Sequence, residues 1–204
     1  MTGLALYAVV LTEGHDAGPT PPETELVPFR DVGAIVTGAP YAAEPPTDAE
    51  LSAYVRVIDA AFQRWTLLPA PPGVVFRSRD ALVRWMEVHY VALTDALTFV
   101  EGRVEGRVHI GRRIDEGVPE APPEIAAAAA ESYRNLRRHV VAAVPVRTDH
   151  LAGVVMGASF LLDREHWSSF QEIVAEEGTH HAELTFTVTG PWPPFDFVRM
   201  QFGG

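Results

Sequence analysis

Ala182-Glu183-Leu184-Thr185-Phe186-Thr187-Val188-Thr189-Gly190-Pro191-Trp192-Pro193-Pro194-Phe195-Asp196-Phe197-Val198 is the stretch on which the fold turns. From 182 to 189 it alternates Leu184, Phe186 and Val188 with three threonines, the period-two pattern of a strand with one apolar face. Three prolines then follow at fixed spacing. Proline carries no backbone N–H, so the reading is that the ladder stops at Gly190 and the chain leaves as a stiff extended segment. That segment carries Trp192 and Phe195, and two uses for them are open. They can staple the tail onto the protein's own core, as large aromatics usually do. Alternatively Trp192, Phe195 and Phe197 form a rigid patch that docks another protein.

Working back from this stretch, strands and helices alternate. Asp163 to Glu177 reads as a short helix with Trp167, Phe170 and Val174 on one face, closed by Gly178. Leu151 to Leu162 reads as a strand. A long helix is expected from Pro123 to about Ala143, with Ile125, Ala129, Tyr133, Leu136 and Val140 inward. Its outer face carries Arg134, Arg137 and Arg138, either a solvated stripe or a docking stripe for an acidic partner. Val104 to Ile110 alternates Val104, Gly106, Val108 and Ile110 with Glu105, Arg107 and His109, so a half-exposed strand is expected.

Further upstream, Ser78 caps a helix running to about Gly102, with Leu82, Trp85, Met86, His89, Leu93 and Leu97 buried. Prolines 69, 71 and 72 limit Leu67 to Phe76 to short or edge strands. Thr47 and Glu50 stand at capping-box spacing ahead of a helix over roughly 48 to 65. Leu26 to Phe29 and Val32 to Thr37 suit a hairpin, and Leu4 to Leu11 is apolar on both faces, as a central strand should be. Breaker-rich loops fill 14 to 22, 38 to 46 and 117 to 123. The order defines an α+β fold in two modules, residues 1–100 and 101–204, each with a sheet packed on helices.

Composition narrows function. The chain has 204 residues and a formal net charge of −11, and every positive side chain is arginine. Such an acidic chain repels phosphate backbones, so no nucleic-acid partner is expected. With no cysteine, disulfides, thiolate metal sites and a cysteine nucleophile drop out. No stretch has the length and apolarity of a membrane span, and no signal peptide is visible, so a cytoplasmic location is expected.

Candidate catalytic groups are sparse. His180 and His181 are adjacent and would diverge in a strand, which argues against a shared metal. His89 reads as a hydrogen-bonded core residue, and His15-Asp16 as loop. Ser159 stands inside a strand and without a second small residue after it, so Gly157-Ala158-Ser159 is no nucleophile elbow. Glu101 and Glu105 could be paired acids, but two isolated glutamates are usually solvated. No catalytic residue, metal site or cofactor is assigned. A metal enzyme using His166, His180 or His181 stays as a minor alternative.

Gly190-Pro191-Trp192-Pro193-Pro194-Phe195-Asp196-Phe197-Val198 resembles the C-terminal signature of the GvpL/GvpF gas vesicle proteins: Gly-Pro-Trp-Pro-Pro, an aromatic, one variable residue, then Phe-Val. Three prolines so placed have a chance of roughly 10⁻⁴ per position, so the motif is specific. Weaker matches follow in order: Leu6-Tyr7-Ala8-Val9-Val10, Asp31 to Val36, Leu68-Pro69 with Val75 to Ser78, and Ala158 to Leu162 with Phe170. The chain departs from the family at Ala70-Pro71-Pro72-Gly73 and at Glu105-Gly106, where the family carries Glu-Trp. The resemblance implies an N-terminal α+β domain and a C-terminal modified ferredoxin-like domain. It also implies a non-enzymatic accessory role in gas vesicle assembly, through binding the shell protein and other accessory proteins. The competing reading is a ferredoxin-like small-ligand-binding or regulatory module.

Overall fold

The computed structural model describes residues 2–12, 19–41, 45–112, 122–148 and 151–198. His15-Asp16 and most of the loops expected at 14 to 22 and 117 to 123 lie outside the described residues. The chain divides into two compact units, one formed by residues up to Glu101 together with Val198, the other by Gly102–Phe197.

The first unit contains β1 (Thr2–Leu11), β2 (Glu25–Phe29), β3 (Val32–Pro40), α1 (Asp48–Phe62), β4 (Leu67–Pro69), β5 (Val75–Phe76), α2 (Arg79–Val88) and α3 (Tyr90–Val100). The sheet order is β2-β3-β1-β4, with β5 also paired to β1, and every pairing is antiparallel. β1 is apolar on both sides because both faces of the sheet are covered. Leu6 and Val9 join Leu82, Trp85, Met86, Leu93 and Leu97 in one buried cluster, with Leu4, Leu11 and Val198 at its margin. A bulge beside Tyr7 resets the alternation, and on the other face Tyr7 stacks on Tyr54 of α1 with ring centroids 6.1 Å apart. The Tyr54 hydroxyl donates to the carbonyl of Ala70 at 2.6 Å, tying α1 to the loop after β4.

The capping box forms as its spacing predicts: Thr47 Oγ1 accepts from the Glu50 N–H, and Glu50 Oε2 accepts from the Thr47 N–H. Ser78 caps α2 by accepting from the Ala81 N–H. The single helix expected from 78 to 102 is two, broken at His89, whose Nδ1 lies 2.8 Å from the Trp85 carbonyl.

The second unit contains β6 (Arg103–Arg112), α4 (Pro123–Leu136), β7 (Ala142–Val146), β8 (Val154–Asp163), α5 (Trp167–His180) and β9 (Leu184–Trp192). Its antiparallel sheet runs β7-β8-β6-β9. With the element order β-α-β-β-α-β, this is the ferredoxin-like arrangement. α4 packs on β8 and β6, and α5 on β9 and α4. Phe160, wholly buried, holds Tyr133 and Phe170 against it at 6.1 and 5.3 Å between ring centroids.

Four local expectations give way here. The helix from Pro123 ends at Leu136 and passes through a 3-10 turn at Arg137–His139, so Val140 is not helical. Ala142–Val146 is then a strand, not the end of that helix, because pairing with β8 satisfies its backbone. Gly178 lies inside α5 rather than beyond its end. The prolines do not stop β9 at Gly190. A register shift opposite Glu105 and Arg107 absorbs Gly190 and Pro191, and Trp192 still pairs with Glu105. β9 is an edge strand, where a missing N–H is tolerated.

Candidate functional site

Two glycines open the space that the terminal segment needs. A Cβ at Gly106 would lie 2.5 Å from Cζ3 of Trp167. Gly190 has φ +129°, and a Cβ there would lie 2.8 Å from the Glu105 carbonyl oxygen and 2.9 Å from Cη2 of Trp167. The Trp167 ring thus presses on the bulge from the α5 side. Strand alternation sends Glu105 and Arg107 to the opposite face of the sheet, and Ser159, directly across from Arg107, goes with them.

The tail folds back over that face. Phe195, Asp196 and Phe197 form a turn, the Phe195 N–H donating to the Pro193 carbonyl at 2.8 Å. The turn delivers Asp196 to Glu105. The Asp196 N–H donates to Glu105 Oε2 at 2.9 Å, and Ser159 Oγ is 3.1 Å from Glu105 Oε1 and makes a short hydrogen bond to Asp196 Oδ2. Arg107 Nη2 reaches Asp196 Oδ2 at 2.7 Å and Glu105 Oε1 at 3.2 Å, while its Nε is 3.3 Å from Ser159 Oγ.

Glu105 and Ser159 are wholly buried. Burial, reinforced by the charge of Asp196, pushes the Glu105 carboxyl up to about 7 against the opposing pull of the Asp196 N–H, Arg107 and Ser159. For Asp196, burial also pushes upward, but hydrogen bonds from Ser159 and Arg107 outweigh it and hold the carboxyl below its ordinary range. With both acids ionised, two carboxylates and one guanidinium leave this cluster one proton short of neutrality.

Sequence reasoning placed Glu105 among solvated acids, and the structure overturns that. Its partner Asp196 occupies the variable position of the terminal motif, so nothing local marked either residue. Trp192 and Phe195 are not stapled into the core: each is 41% exposed, whereas Pro193 and Pro194 are buried. Phe197 is half-buried. The prolines anchor the segment and the aromatics face outward, Trp192 Nε1 donating to Thr189 Oγ1 at 3.3 Å. Arg134 on α4 and Arg137 and Arg138 in the following turn are all exposed, on a different element from the aromatics.

The histidines do not converge. His181 lies between Glu183, 3.2 Å from Nδ1, and Glu177, 3.9 Å from Nε2, while His166 is exposed beside Asp163 and Glu165. Among the described residues no group of three or more His, Cys, Asp or Glu side chains is arranged to hold a metal ion. In the first unit a cleft of about 400 Å³ is lined by Tyr7, Pro21, Glu23, Thr37, Arg56 and Val57, among others. No helix among the described residues is long and apolar enough to cross a membrane.

Fold and site together define a two-unit α+β protein whose ferredoxin-like unit ends in a clasped, aromatic-bearing tail. The sequence model of the family described as gas vesicle synthesis protein GvpL/GvpF matches residues 3–116 and 107–199. The chain belongs to the GvpL/GvpF family of gas vesicle proteins. It is 27% identical over 180 residues to gas vesicle protein F1 of Halobacterium salinarum, spanning 87% of this chain and 82% of that one. It is 26% identical over 183 residues to gas vesicle protein F of Haloferax mediterranei, again 87% and 82% of the two chains. The crystal structure of GvpF from Anabaena sp. PCC7120 superposes with a TM-score of 0.80 at 15% identity, covering 98% of this chain and all (100%) of that one. GvpF from Microcystis aeruginosa gives a TM-score of 0.73 at 14% identity, with 97% and 99% covered. These two likenesses establish the shared fold, and the family places the chain in the gas vesicle system.

Proposed function

We propose that this protein is a cytoplasmic accessory protein of gas vesicle assembly, acting by binding the vesicle shell protein and other accessory proteins rather than by catalysis. The observation that carries the reading is the terminal segment, where Trp192 and Phe195 stand exposed on a backbone fixed by buried prolines and by Asp196. An aromatic pair held in this way loses little entropy on docking, which favours its use as an interface anchor. Phe197, half-buried in the same turn, is the third aromatic of this segment. Arg134, Arg137 and Arg138 supply a second, charged contact for an acidic partner on a protein of net charge −11.

The test is co-purification of the chain with the shell protein and accessory proteins encoded alongside it, comparing wild type with Trp192→Ala/Phe195→Ala and with Arg134→Ala/Arg137→Ala/Arg138→Ala. Loss of capture in the aromatic variant, with folding intact by circular dichroism, supports the reading. Wild-type capture by both variants, or empty capture by the wild-type chain, refutes it.

A further inference from the structure

We infer that Glu105, Ser159, Arg107 and Asp196 form a one-proton latch that sets how firmly the Trp192–Phe195 pair is held, so that presentation of this pair depends on pH. The inference rests on the docking reading above for its purpose, but not for its physics.

The latch has two halves, brought together only by the tail. The sheet half is Glu105 and Arg107 on β6 and Ser159 on β8. The tail half is the N–H and carboxylate of Asp196. Within this unit the charged groups facing Glu105 are Arg107 on its own strand and Asp196 on the tail. β8 presents the neutral Ser159, β9 presents Trp192, and α5 lies on the far side of the sheet with the Trp167 ring. Arg103, two residues before Glu105, is engaged by Asp163 at 3.3 Å.

With one proton on the two acids, the cluster is neutral and every polar atom of Glu105 can be satisfied. Without it, two carboxylates share one guanidinium with Glu105 itself buried, and lifting the tail to rehydrate Glu105 relieves the excess charge. The sign follows directly. Glu105 holds its proton more tightly in the latched state, so closure is favoured at acid pH and weakens as pH rises through about 7. Asp196 is held below its ordinary range in the latched state, so closure also weakens once that carboxylate is protonated. The latch is therefore firmest within the ordinary carboxylate range, between 3.8 and 4.5, and weakens progressively from there to neutrality.

The test uses the full chain, with amide hydrogen exchange of Asp196 read between pH 5.5 and 8.5 against the Leu6 amide of β1, which donates to the Val74 carbonyl in the other unit and so serves as an internal reference independent of Glu105. The relative protection of Asp196 should fall by up to about 30-fold across that range, nearly all of it below pH 7, the ceiling set by release of Glu105 to an ordinary carboxyl. Glu105→Gln, which keeps an acceptor and adds a permanent donor, should give a flat, protected profile. Asp196→Asn, which removes the anionic neighbour, should move the wild-type transition to lower pH. A wild-type ratio constant within about threefold, or a Glu105→Gln profile that follows wild type, overturns the latch. Capture of the shell protein at pH 6 and pH 8.5 separates the two readings. A pH-responsive tail whose Trp192→Ala variant still captures shell protein keeps the latch and removes the docking role. Trp192-dependent capture with flat protection does the reverse.

Discussion

Replacing Gly106 by alanine places a Cβ 2.5 Å from Cζ3 and 3.2 Å from Cη2 of Trp167. Non-bonded carbons rest at about 3.5–4.0 Å, so the ring must retreat by roughly 1 Å. It has little room, because Phe170 already lies 3.6 Å from the new atom and packs on Phe160. Overpacking of this kind costs about 1–3 kcal/mol, offset by about 0.4–1 kcal/mol from the lower entropy of the unfolded chain. The expected net loss is roughly 1–2 kcal/mol. Trp167→Leu destabilises alone by opening a cavity, but combined with Gly106→Ala it should recover about 1 kcal/mol or more as coupling energy. Gly190→Ala is the control: its Cβ meets the Glu105 carbonyl oxygen at 2.8 Å and its φ is +129°, so trimming Trp167 leaves backbone conflicts in place. Urea unfolding followed by far-UV circular dichroism compares wild type, the single variants and both glycine–Trp167→Leu double variants without depending on the altered tryptophan. A Gly106→Ala midpoint equal to wild type, or equal rescue of both glycine variants by Trp167→Leu, would refute the packing argument.

Three further outcomes are expected. Because burial lifts the Glu105 carboxyl from its ordinary 4.5 to about 7, its contribution to stability is complete below the lower value and lost as pH rises to the upper one. Urea titrations between pH 4.5 and 8.5 should show a loss of up to about 3 kcal/mol in wild type that is absent from Glu105→Gln. Thr47→Ala removes the side-chain arm of the α1 capping box, leaving only the backbone N–H of residue 47 on Glu50, and should cost about 1 kcal/mol, read as a lower unfolding midpoint, whereas Thr47→Ser should be near neutral. Phe160→Ala empties the centre of the ferredoxin-like unit and should cost about 3–5 kcal/mol by the same measurement, enough to unfold that unit at moderate urea.

Elements whose stabilising partners are close in sequence were legible, and those settled by distant partners were not. The Thr47–Glu50 box and the Ser78 cap are hydrogen bonds across three residues, and both form. The alternation of β9 is a local periodicity, and Leu184 is buried with Thr185, Thr187 and Thr189 outside it. Ala142 and Ala143 favour a helix by intrinsic propensity, yet their register with Leu161 and Phe160 makes them a strand. His89 carries no glycine or proline signal for the break between α2 and α3. Glu105 sits on the polar side of an alternating pattern that normally faces water. Only Asp196, reaching it through a turn at the far end of the unit, makes that side an interior. The same turn explains why Trp192 and Phe195 escape burial: the prolines and Asp196 take the covered positions.

The sheet order β7-β8-β6-β9 sets β6, the first strand of the second unit, between β8 and the last strand, Leu184–Trp192. A nascent chain can complete the sheet of β1 to β5 early, but β6 then waits through several seconds of elongation, at about 5–20 residues per second, before its second neighbour exists. During that interval one hydrogen-bonding edge of β6 is bare and Glu105 stands in water. This unit therefore matures late, and its buried acid acquires its perturbed proton affinity only once the terminal segment has emerged and docked.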